Sequence, residues 1–263
     1  MRPVIAFLTD FGTQDHYAGT MRGVILGICP DATLVDITHE IPAHDVMAGA
    51  LELAAAYKYF PIGTIFVVVV DPGVGSARRG LAADTGDYRF VAPDNGVLTA
   101  VLRESPAKKM VELTERRYAR PTVSRTFEGR DRFAPAAAWL AKGIQLAALG
   151  RPISDIQRVD IPAPESTADA IRGVVVHVDR FGNLVTNIDR KLVERFGQDA
   201  GVTIEAGGKP IGRVVATYGE LPADGVGALF GSTDHLELAA PSSSAAQRLS
   251  LDRGAQVTVR RAT

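Results

Sequence analysis

Residues 64–75 read Thr-Ile-Phe-Val-Val-Val-Val-Asp-Pro-Gly-Val-Gly, and this stretch decides the fold class. The apolar, largely β-branched run from Thr64 to Val70 predicts a strand that is buried on both faces, as in the middle of a parallel sheet. The run ends at Asp71, which places a carboxylate where a buried strand enters a glycine-rich turn. In open α/β sheets, ligands bind beyond the carboxyl ends of the strands. The stretch therefore predicts a layered α/β domain with a polar residue at its ligand-binding edge.

Strands and helices alternate around this strand over roughly the first 150 residues, which is typical of an α/β layered domain. Apolar runs and helical spacings predict three more strands and three helices. The strands are Val4–Leu8, Thr33–Ile37 and Tyr88–Ala92, and the helices are Tyr17–Ile28, Val46–Tyr59 with Asp45 as its cap, and Phe133–Ala141. Residues 1–160 are thus predicted to form a sandwich-like α/β domain with a mostly parallel sheet.

The pattern changes after residues 161–166, whose sequence Ile-Pro-Ala-Pro-Glu-Ser has the composition of a linker. Short strands with glycine-rich turns follow and indicate an antiparallel barrel or sandwich. They are Ile171–Val178, Leu184–Ile188, Val202–Glu205, Gly212–Thr217, Leu236–Ala239 and Gln256–Val259. Residues 170–263 are therefore predicted to form a second, smaller domain.

Composition limits the classes of function. The 263 residues carry a net charge of −1, so no global field attracts nucleic acid or an anionic membrane surface. The single cysteine excludes an internal disulfide framework, and the scattered histidines argue against a zinc site. With no signal-peptide layout and no apolar run of membrane-spanning length, we expect a soluble, cytoplasmic protein.

Three polar clusters follow predicted strands: Thr9-Asp10, Asp71-Pro72-Gly73 and Pro93-Asp94-Asn95. Each one alone is equally typical of a helix cap or a turn. Three at one sheet edge indicate a site, because the ends of neighbouring parallel strands lie close together.

Charged residues elsewhere suggest partners for Asp71. Either Arg78 or the adjacent Arg79 could keep that carboxylate ionised and oriented, although a surface ion pair of little energetic value fits equally well. Asp131 is predicted to cap the helix that begins near Phe133, and Arg130 to pair with an interior carboxylate. Glu128 is ambiguous, because a glutamate in a loop is usually solvated.

The segment 179–183, Asp-Arg-Phe-Gly-Asn, joins two predicted strands of the second domain. One interpretation is a tight turn, since glycine and asparagine suit positive φ. The other is a loop that presents an aromatic face and amide groups to a planar ligand. The residues alone leave both open.

Taken together, these segments resemble the S-adenosylmethionine hydroxide adenosyltransferase family, relatives of the fluorinase and chlorinase enzymes. The matching stretches run in family order along nearly the whole chain: residues 7–12, 42–46, 70–75, 92–96, 126–135, 179–188 and 236–239. The resemblance implies an N-terminal α/β domain, a C-terminal β-barrel, and a homotrimer. Each active site would lie between the N-terminal domain of one subunit and the C-terminal domain of the next.

The resemblance also assigns roles by position. Asp71 and Arg78 correspond to two members of an Asp-Arg-His set that activates water, with Glu128 in place of the histidine. The other expected contacts are with substrate: Asp10 with the ribose hydroxyls, Asp179, Phe181 and Asn183 with the adenosyl and methionine parts, Ser232 with the methionine end, Tyr218 with adenine, and Phe11, Asn95 and Glu237 with the ligand more generally. A glutamate at position 128 can accept a proton from water.

Water is favoured over halide as the nucleophile. The short stretch from Gly80 to Arg89 leaves no room for the inserted halogenase loop, and Gly129 stands where the halogenases bind halide through a serine. Asp71 would also repel an anion. The predicted reaction is hydrolysis of S-adenosylmethionine to adenosine and methionine, with no metal or organic cofactor. Two alternatives stay open: cleavage of a nucleoside at its glycosidic bond, and non-catalytic binding of S-adenosylmethionine or adenosine.

Overall fold

A computed structural model describes residues 2–197 and 201–262, and the chain divides into two compact units with the boundary between Ile161 and Pro162. This boundary falls at the start of the segment with linker composition.

The first unit is built on a seven-stranded sheet in the order β2-β1-β3-β5-β4-β6-β7. The strands are β1 (Val4–Thr9), β2 (Thr33–Thr38), β3 (Ile65–Val69), β4 (Gly80–Asp84), β5 (Arg89–Pro93), β6 (Lys109–Leu113) and β7 (Gly150–Pro152). Strands β2, β1, β3 and β5 pair in parallel, and β4, β6 and β7 extend the sheet in antiparallel pairings. The α/β class predicted from the valine run is confirmed, with β3 inside the parallel half.

Helices cover both faces of this sheet. They are α1 (Tyr17–Ile28), α2 (Val46–Ala56), α3 (Thr99–Glu104) and α4 (Ala134–Ala141). Alternate residues of β3 enter two separate cores: Val67 packs with residues of α1 and α4, and Val68 packs with residues of α2 and α3. Burial on both faces explains why β3 is apolar at every position instead of alternating.

The second unit is an antiparallel, nearly closed barrel. Its strands are β8 (Glu165–Ser166), β9 (Ala170–Val178), β10 (Leu184–Asp189), β11 (Val202–Ala206), β12 (Lys209–Arg213), β13 (Gly227–Phe230), β14 (His235–Ala239) and β15 (Gln256–Arg261), with helices α5 (Arg190–Gly197) and α6 (Ala245–Leu249). The order is β12-β11-β15-β9-β10-β14-β13, with β8 beside β9. A bridge from Val214 to Ala228 brings the two ends of this order together. The predicted barrel class is confirmed.

Several predicted boundaries were wrong. The strand placed at Gly212–Thr217 is β12 at Lys209–Arg213, because the positive-φ pair Gly207 and Gly208 turns the chain earlier than expected. The helix expected to reach Tyr59 ends at Ala56 and continues as a 3₁₀ turn. Asp131 does not cap α4: a π-helical turn over Gly129–Phe133 precedes that helix, and Asp131 lies inside the turn.

No helix within residues 2–197 and 201–262 is long and apolar enough to cross a membrane.

Candidate active site

One edge of the sheet in the first unit gathers the polar clusters predicted from the sequence. Strands β1, β3 and β5 are parallel neighbours, so their carboxyl ends share this edge. Asp10 follows β1, Asp71 lies two residues beyond β3, and Asp94 and Asn95 follow β5. Neighbouring strand ends of this kind are where α/β sheets bind ligands.

Asp71 and Arg78 form a buried, two-point ion pair at this edge. Nε of Arg78 donates to Oδ1 of Asp71 at 2.9 Å, and Nη2 of Arg78 donates to Oδ2. The two side chains are only 6% and 9% exposed, so the surface-pair interpretation does not apply. Burial alone would lower the pKa of Arg78, but the hydrogen bond and charge of Asp71, together with the charge of Glu128, raise that pKa. Arg78 is therefore a permanent cation.

Glu128 joins this pair from the other side of the guanidinium. Its Oε2 lies 2.7 Å from Nη2 of Arg78, and its side chain is 13% exposed. The atom is buried, and the charge and hydrogen bond of Glu128 are among the causes that raise the pKa of Arg78. A carboxylate oxygen can accept more than one hydrogen bond, so Oε2 can also accept one from a small polar molecule.

Local sequence features hold Arg78 in place. The turn after Asp71 brings the chain back so closely that a Cβ on Gly73 would stand 3.3 Å from Cγ of Arg78. The guanidinium also lies over the ring of Phe133, with Cζ 5.3 Å from the ring centroid. Gly80 leaves room for that ring, since a Cβ there would meet Cε1 of Phe133 at 2.8 Å.

Arg132 is a contact of Glu128 that the sequence analysis missed. Its Nη1 lies 3.6 Å from Oε1 of Glu128, so each carboxylate oxygen of Glu128 faces a different arginine. The four-residue spacing between Glu128 and Arg132 was an available signal, since residues four apart are neighbours on a helical turn.

Asp10 and Phe11 line a shallow depression of about 260 Å³ at the end of β1. Oδ2 of Asp10 accepts a hydrogen bond from the backbone N–H of His44 at 2.9 Å. The ring of Phe11 packs against those of Tyr17 and Phe127, with centroids 5.6 and 6.0 Å away. The depression thus places a carboxylate beside an aromatic cluster, and contacts of Asp10 and Phe11 with a substrate stay predictions.

A second contact that the sequence analysis missed supports the end of β1. Oγ1 of Thr9 lies 2.8 Å from Nδ1 of the buried His39, and Nε2 of His39 lies 3.1 Å from Oδ1 of Asp36. No local signal reveals this chain of contacts, because it depends on the parallel pairing of β1 with β2.

Asp94 and Asn95 make hydrogen bonds within the protein that stabilise the ends of the strands. Asp94 accepts hydrogen bonds from Nε and Nη2 of Arg79, at 2.9 and 2.6 Å. The amide of Asn95 donates to the carbonyl oxygen of Val70 at 2.8 Å, which ties the end of β5 to the end of β3. Arg79 therefore belongs to Asp94, and Arg78 is the partner of Asp71. A substrate contact for Asn95 stays a prediction.

Arg130 pairs with an interior carboxylate, as predicted, and that carboxylate is Asp131. Nε of Arg130 donates to Oδ1 of the fully buried Asp131 at 2.7 Å, and Arg120 lies 3.3 Å from the same oxygen. Oδ2 of Asp131 accepts from the backbone N–H of Ser124 at 2.8 Å. Burial raises the pKa of Asp131, but the Arg130 hydrogen bond, the Ser124 hydrogen bond and the nearby positive charges outweigh it and lower that pKa. Asp131 thus anchors the loop that carries Glu128.

In the second unit, segment 179–183 is a tight turn between β9 and β10 that also exposes an aromatic ring. Oδ1 of Asp179 accepts from the backbone N–H groups of Phe181 and Asn183, at 2.9 and 2.8 Å, and Oδ2 accepts from the Asn183 amide at 2.8 Å. Gly182 has φ of 82°, and a Cβ there would stand 2.2 Å from Oγ of Ser244. The segment is therefore a tight turn, and it leaves the Phe181 side chain 78% exposed.

Tyr218 and Glu237 lie in the same unit and contact each other. The Tyr218 hydroxyl donates to Oε2 of Glu237 at 2.9 Å. Burial raises the pKa of Glu237, and the nearby charge of Asp179 raises it further. Burial and the Glu237 carboxylate raise the pKa of Tyr218 to about 12. Tyr218 and Glu237 therefore form a hydrogen-bonded pair, and the charge of the nearby Asp179 raises the pKa of both.

Ser232 is exposed in the connection from β13 to β14. It follows Gly231, where an added Cβ would stand 1.7 Å from Oε1 of Glu237. A contact of Ser232 with the methionine end of a substrate stays a prediction.

Across residues 2–197 and 201–262, no group of three or more histidine, cysteine, aspartate or glutamate side chains is arranged to hold a metal ion.

The first unit gathers a carboxylate–arginine cluster at the ends of parallel strands, and a barrel unit follows it in the chain. This fold and site define the class: a two-unit α/β protein with a polar site at the edge of its parallel sheet. Residues 5–150 match the SAM hydroxide adenosyltransferase N-terminal domain, and residues 173–258 match the corresponding C-terminal domain, where SAM is S-adenosylmethionine. The chain belongs to the SAM hydroxide adenosyltransferase family.

Individual relatives and solved structures agree with this assignment. The chain is 37% identical to an (R)-S-adenosyl-L-methionine hydrolase of Thermus thermophilus, over 98% of this chain and 99% of the relative. It is 40% identical to a hydrolase of the same name from Salinispora tropica, over 73% and 74%, and 31% identical to a fluorinase of Nocardia brasiliensis, over 98% and 97%. A crystal structure of a conserved protein from Thermotoga maritima matches with a TM-score of 0.92 and 35% identity, covering 98% of this chain and all of that one.

Proposed function

We propose that the protein hydrolyses (R)-S-adenosyl-L-methionine, with water attacking C5′ and adenosine and L-methionine leaving as products. The observation that carries this proposal is the buried Oε2 atom of Glu128, held 2.7 Å from a guanidinium that also binds Asp71. Family membership and the hydrolase relatives named above support the same reaction.

The chemistry needs little beyond positioning and a proton acceptor. A lone pair of the water oxygen forms a bond to C5′ as the C5′–S bond breaks, and the electron pair of the breaking bond stays on sulfur and neutralises the sulfonium. Because the leaving group is a neutral thioether, no general acid is required. Oε2 of Glu128 accepts a proton from the attacking water, and Arg78 fixes both carboxylates around it.

The charges of this cluster also favour water over halide. Asp71 and Glu128 both contact Nη2 of Arg78, so carboxylate oxygens line this position. A halide ion placed against these oxygens would be repelled, whereas a water molecule can donate a hydrogen bond to either carboxylate.

Product analysis tests the proposed reaction. The purified protein is incubated with S-adenosylmethionine, and adenosine, methionine and adenine are separated and quantified by mass spectrometry. We expect adenosine and methionine in equal amounts. S-Adenosylhomocysteine, which lacks the sulfonium charge, is the matched substrate control and should not turn over. Free adenine would instead reveal cleavage of the glycosidic bond, and tight binding without product would reveal a binding protein.

The proposal includes a homotrimer in which two copies contribute to each active site. Two sets of groups support this arrangement. The carboxylate–arginine cluster lies in the first unit, and the turn that carries Phe181 and Asn183 lies in the second. Phe181 and Tyr218 are 78% and 52% exposed, so both rings are open to contact from a ligand or another copy. The resemblance noted from the sequence predicts the same arrangement.

Complementation between inactive variants tests this shared site. Asp71→Asn disables the first unit and Asn183→Ala the second, and the two chains are co-expressed with different tags. If sites are shared between copies, random assembly of equal amounts of the two chains should give about a quarter of the wild-type activity, since each mixed trimer has one site that combines two intact units. Each variant alone is the control. A trimer by light scattering with no regained activity would show that each site belongs to one chain.

A cytoplasmic location, and the absence of nucleic-acid and membrane partners, stay predictions of the composition.

A further inference from the structure

We propose that a groove in the first unit binds a small anion that carries two or three linked phosphate groups. The groove has a volume of about 580 Å³ and is lined by the segment from Leu113 to Val123 together with Arg132, Ala136 and Leu149. Its size lies within the range of small-molecule sites in proteins, on the order of 300–1,000 Å³.

The charge of the groove is strongly positive in a chain whose net charge is −1. Four arginines line it, Arg116, Arg117, Arg120 and Arg132, against a single lining carboxylate, that of Glu115. Glu115 lies 3.9 Å from Nε of Arg117 and is 42% exposed, so it offsets only part of this charge. An excess of guanidinium groups around one groove favours a multiply charged anion.

The carboxylates just outside the groove neutralise its arginines only in part. Asp131, which contacts Arg120, is also held by Arg130 through two hydrogen bonds. Glu128 offsets the charge of Arg132, since Arg78 is already paired with Asp71. In the part of the chain that the structure describes, Arg116 makes no ion pair or side-chain hydrogen bond. Between residues 115 and 132, six arginines thus share three acidic residues.

The floor and wall of the groove indicate a small molecule. Leu113 and Leu149 are buried at its base, and the ring of Tyr118 stands at one side with the Arg117 guanidinium 4.9 Å from its centroid. Guanidinium groups bind phosphate oxygens through two parallel hydrogen bonds, which a row of arginines can repeat along a phosphate chain. We therefore infer a di- or triphosphate group, either inorganic or part of a nucleotide.

Trp139 provides a built-in reporter, because it is the single tryptophan of the chain. Its ring packs edge-on against Tyr118, with centroids 5.7 Å apart. A ligand that contacts Tyr118 should therefore change the fluorescence of Trp139.

The test titrates the wild-type protein with inorganic tripolyphosphate at constant ionic strength, with Trp139 fluorescence and calorimetry as readouts. We expect a saturable signal, and binding at least about tenfold weaker in the double variant Arg116→Ala/Arg117→Ala, since contacts to charged groups are strong. Arg103→Ala is the matched control: this arginine lies in the last turn of α3, outside the groove, and its loss should leave the affinity unchanged.

Comparing ADP with pyrophosphate by calorimetry separates the two sources of the ligand. Tighter binding of ADP that is lost in Arg116→Ala/Arg117→Ala indicates a nucleotide in the groove, and equal affinity indicates recognition of the phosphate chain alone. Absence of saturable binding, or equal weakening by the control variant, would overturn the proposal. So would a change of assembly mass in Arg116→Ala/Arg117→Ala by light scattering, because the groove would then be an interface between copies. None of these readouts depends on hydrolysis of S-adenosylmethionine.

Discussion

Oε2 of Glu128 lies 2.7 Å from Nη2 of Arg78. The same guanidinium forms a two-point contact with Asp71, so one cation holds two carboxylates that would otherwise repel each other. Such a cluster costs desolvation energy and is poorly suited to stabilising a fold. Its arrangement is well suited to holding a water molecule against a proton acceptor, which is the role proposed for it.

Removing Arg78 should disable the enzyme and weaken the fold. Arg78→Ala leaves the buried Asp71 without its cation and Glu128 with only its longer contact to Arg132, so we expect kcat to fall at least about 100-fold and the free energy of unfolding to fall by about 3–5 kcal/mol. Arg78→Lys keeps the charge but loses the two-point contact, and should give an intermediate rate. The measurements are adenosine formation and denaturant unfolding. Arg89→Ala, which removes a half-exposed arginine from an ion pair with Asp84, is the control and should retain the wild-type rate.

Glu128→Gln tests the proton acceptor directly. The amide keeps the size of the side chain but cannot take up a proton, so we expect kcat to fall about 10²–10⁴-fold with little change in KM. The measurement is steady-state kinetics of methionine release. Glu128→His, which restores a basic side chain, should recover part of the loss. Wild-type rates in Glu128→Gln would show that Glu128 does not take the proton.

Asp131 should contribute stability that disappears in acid. Its pKa is lowered below the ordinary value of 3.8, so the folded state favours the carboxylate, and the contribution is present above about pH 4 and is lost as the pH falls through the lowered value. Asp131→Asn should cost about 1–3 kcal/mol at pH 7, since three buried hydrogen bonds lose a charged acceptor. Thermal unfolding between pH 2 and 7 measures this cost. The difference in stability between Asp131→Asn and wild type should become smaller in acid. Asp155→Asn, an 80% exposed carboxylate, is the control.

Glu237 should behave in the opposite way. Its pKa is raised above 4.5, mainly by burial, so the folded state holds the proton more tightly and stability falls as the pH rises through and above that value. Glu237→Gln keeps an acceptor for the Tyr218 hydroxyl and removes the charge, so we expect it to be about 1 kcal/mol more stable than wild type at pH 7. Unfolding followed by circular dichroism at pH 4 and 7 checks this. If the difference in stability between Glu237→Gln and wild type were the same at both pH values, that result would contradict a buried charge at position 237.

The sequence predicted those parts of the fold in which the local pattern is strong. The valine run placed β3 in the middle of a parallel half-sheet, and the spacing of apolar residues placed α1 at Tyr17–Ile28 without error. Both elements bury a regular set of side chains, so periodicity alone reveals them.

Elements with weak local patterns were missed. Strand β4 has the sequence Gly-Leu-Ala-Ala-Asp, in which alanine and glycine have little strand propensity, and antiparallel pairing with β5 and β6 forms it. Helix α3 has six residues, too few to show a helical period. In both cases tertiary contacts, and not the local sequence, determine the structure.

The sequence predicted which residues form the candidate site better than it predicted which of them contact each other. Asp71 was placed at a strand end, but the choice of Arg78 over Arg79 depends on how the glycine-rich turn folds. The contact of Glu128 with Arg78 spans 50 positions in the sequence and depends on a π-helical turn that no local pattern indicates. Long-range contacts of this kind become visible only once the sheet and the loop are both in place.

The most direct test of the central claim is hydrolysis of S-adenosylmethionine in oxygen-18 water, with the products analysed by mass spectrometry. Attack of water at C5′ predicts adenosine with one heavy oxygen at its 5′ position, together with unlabelled methionine. Adenosine without the label, or a label found on another product, would contradict water attack at C5′ and require a different nucleophile or a different bond.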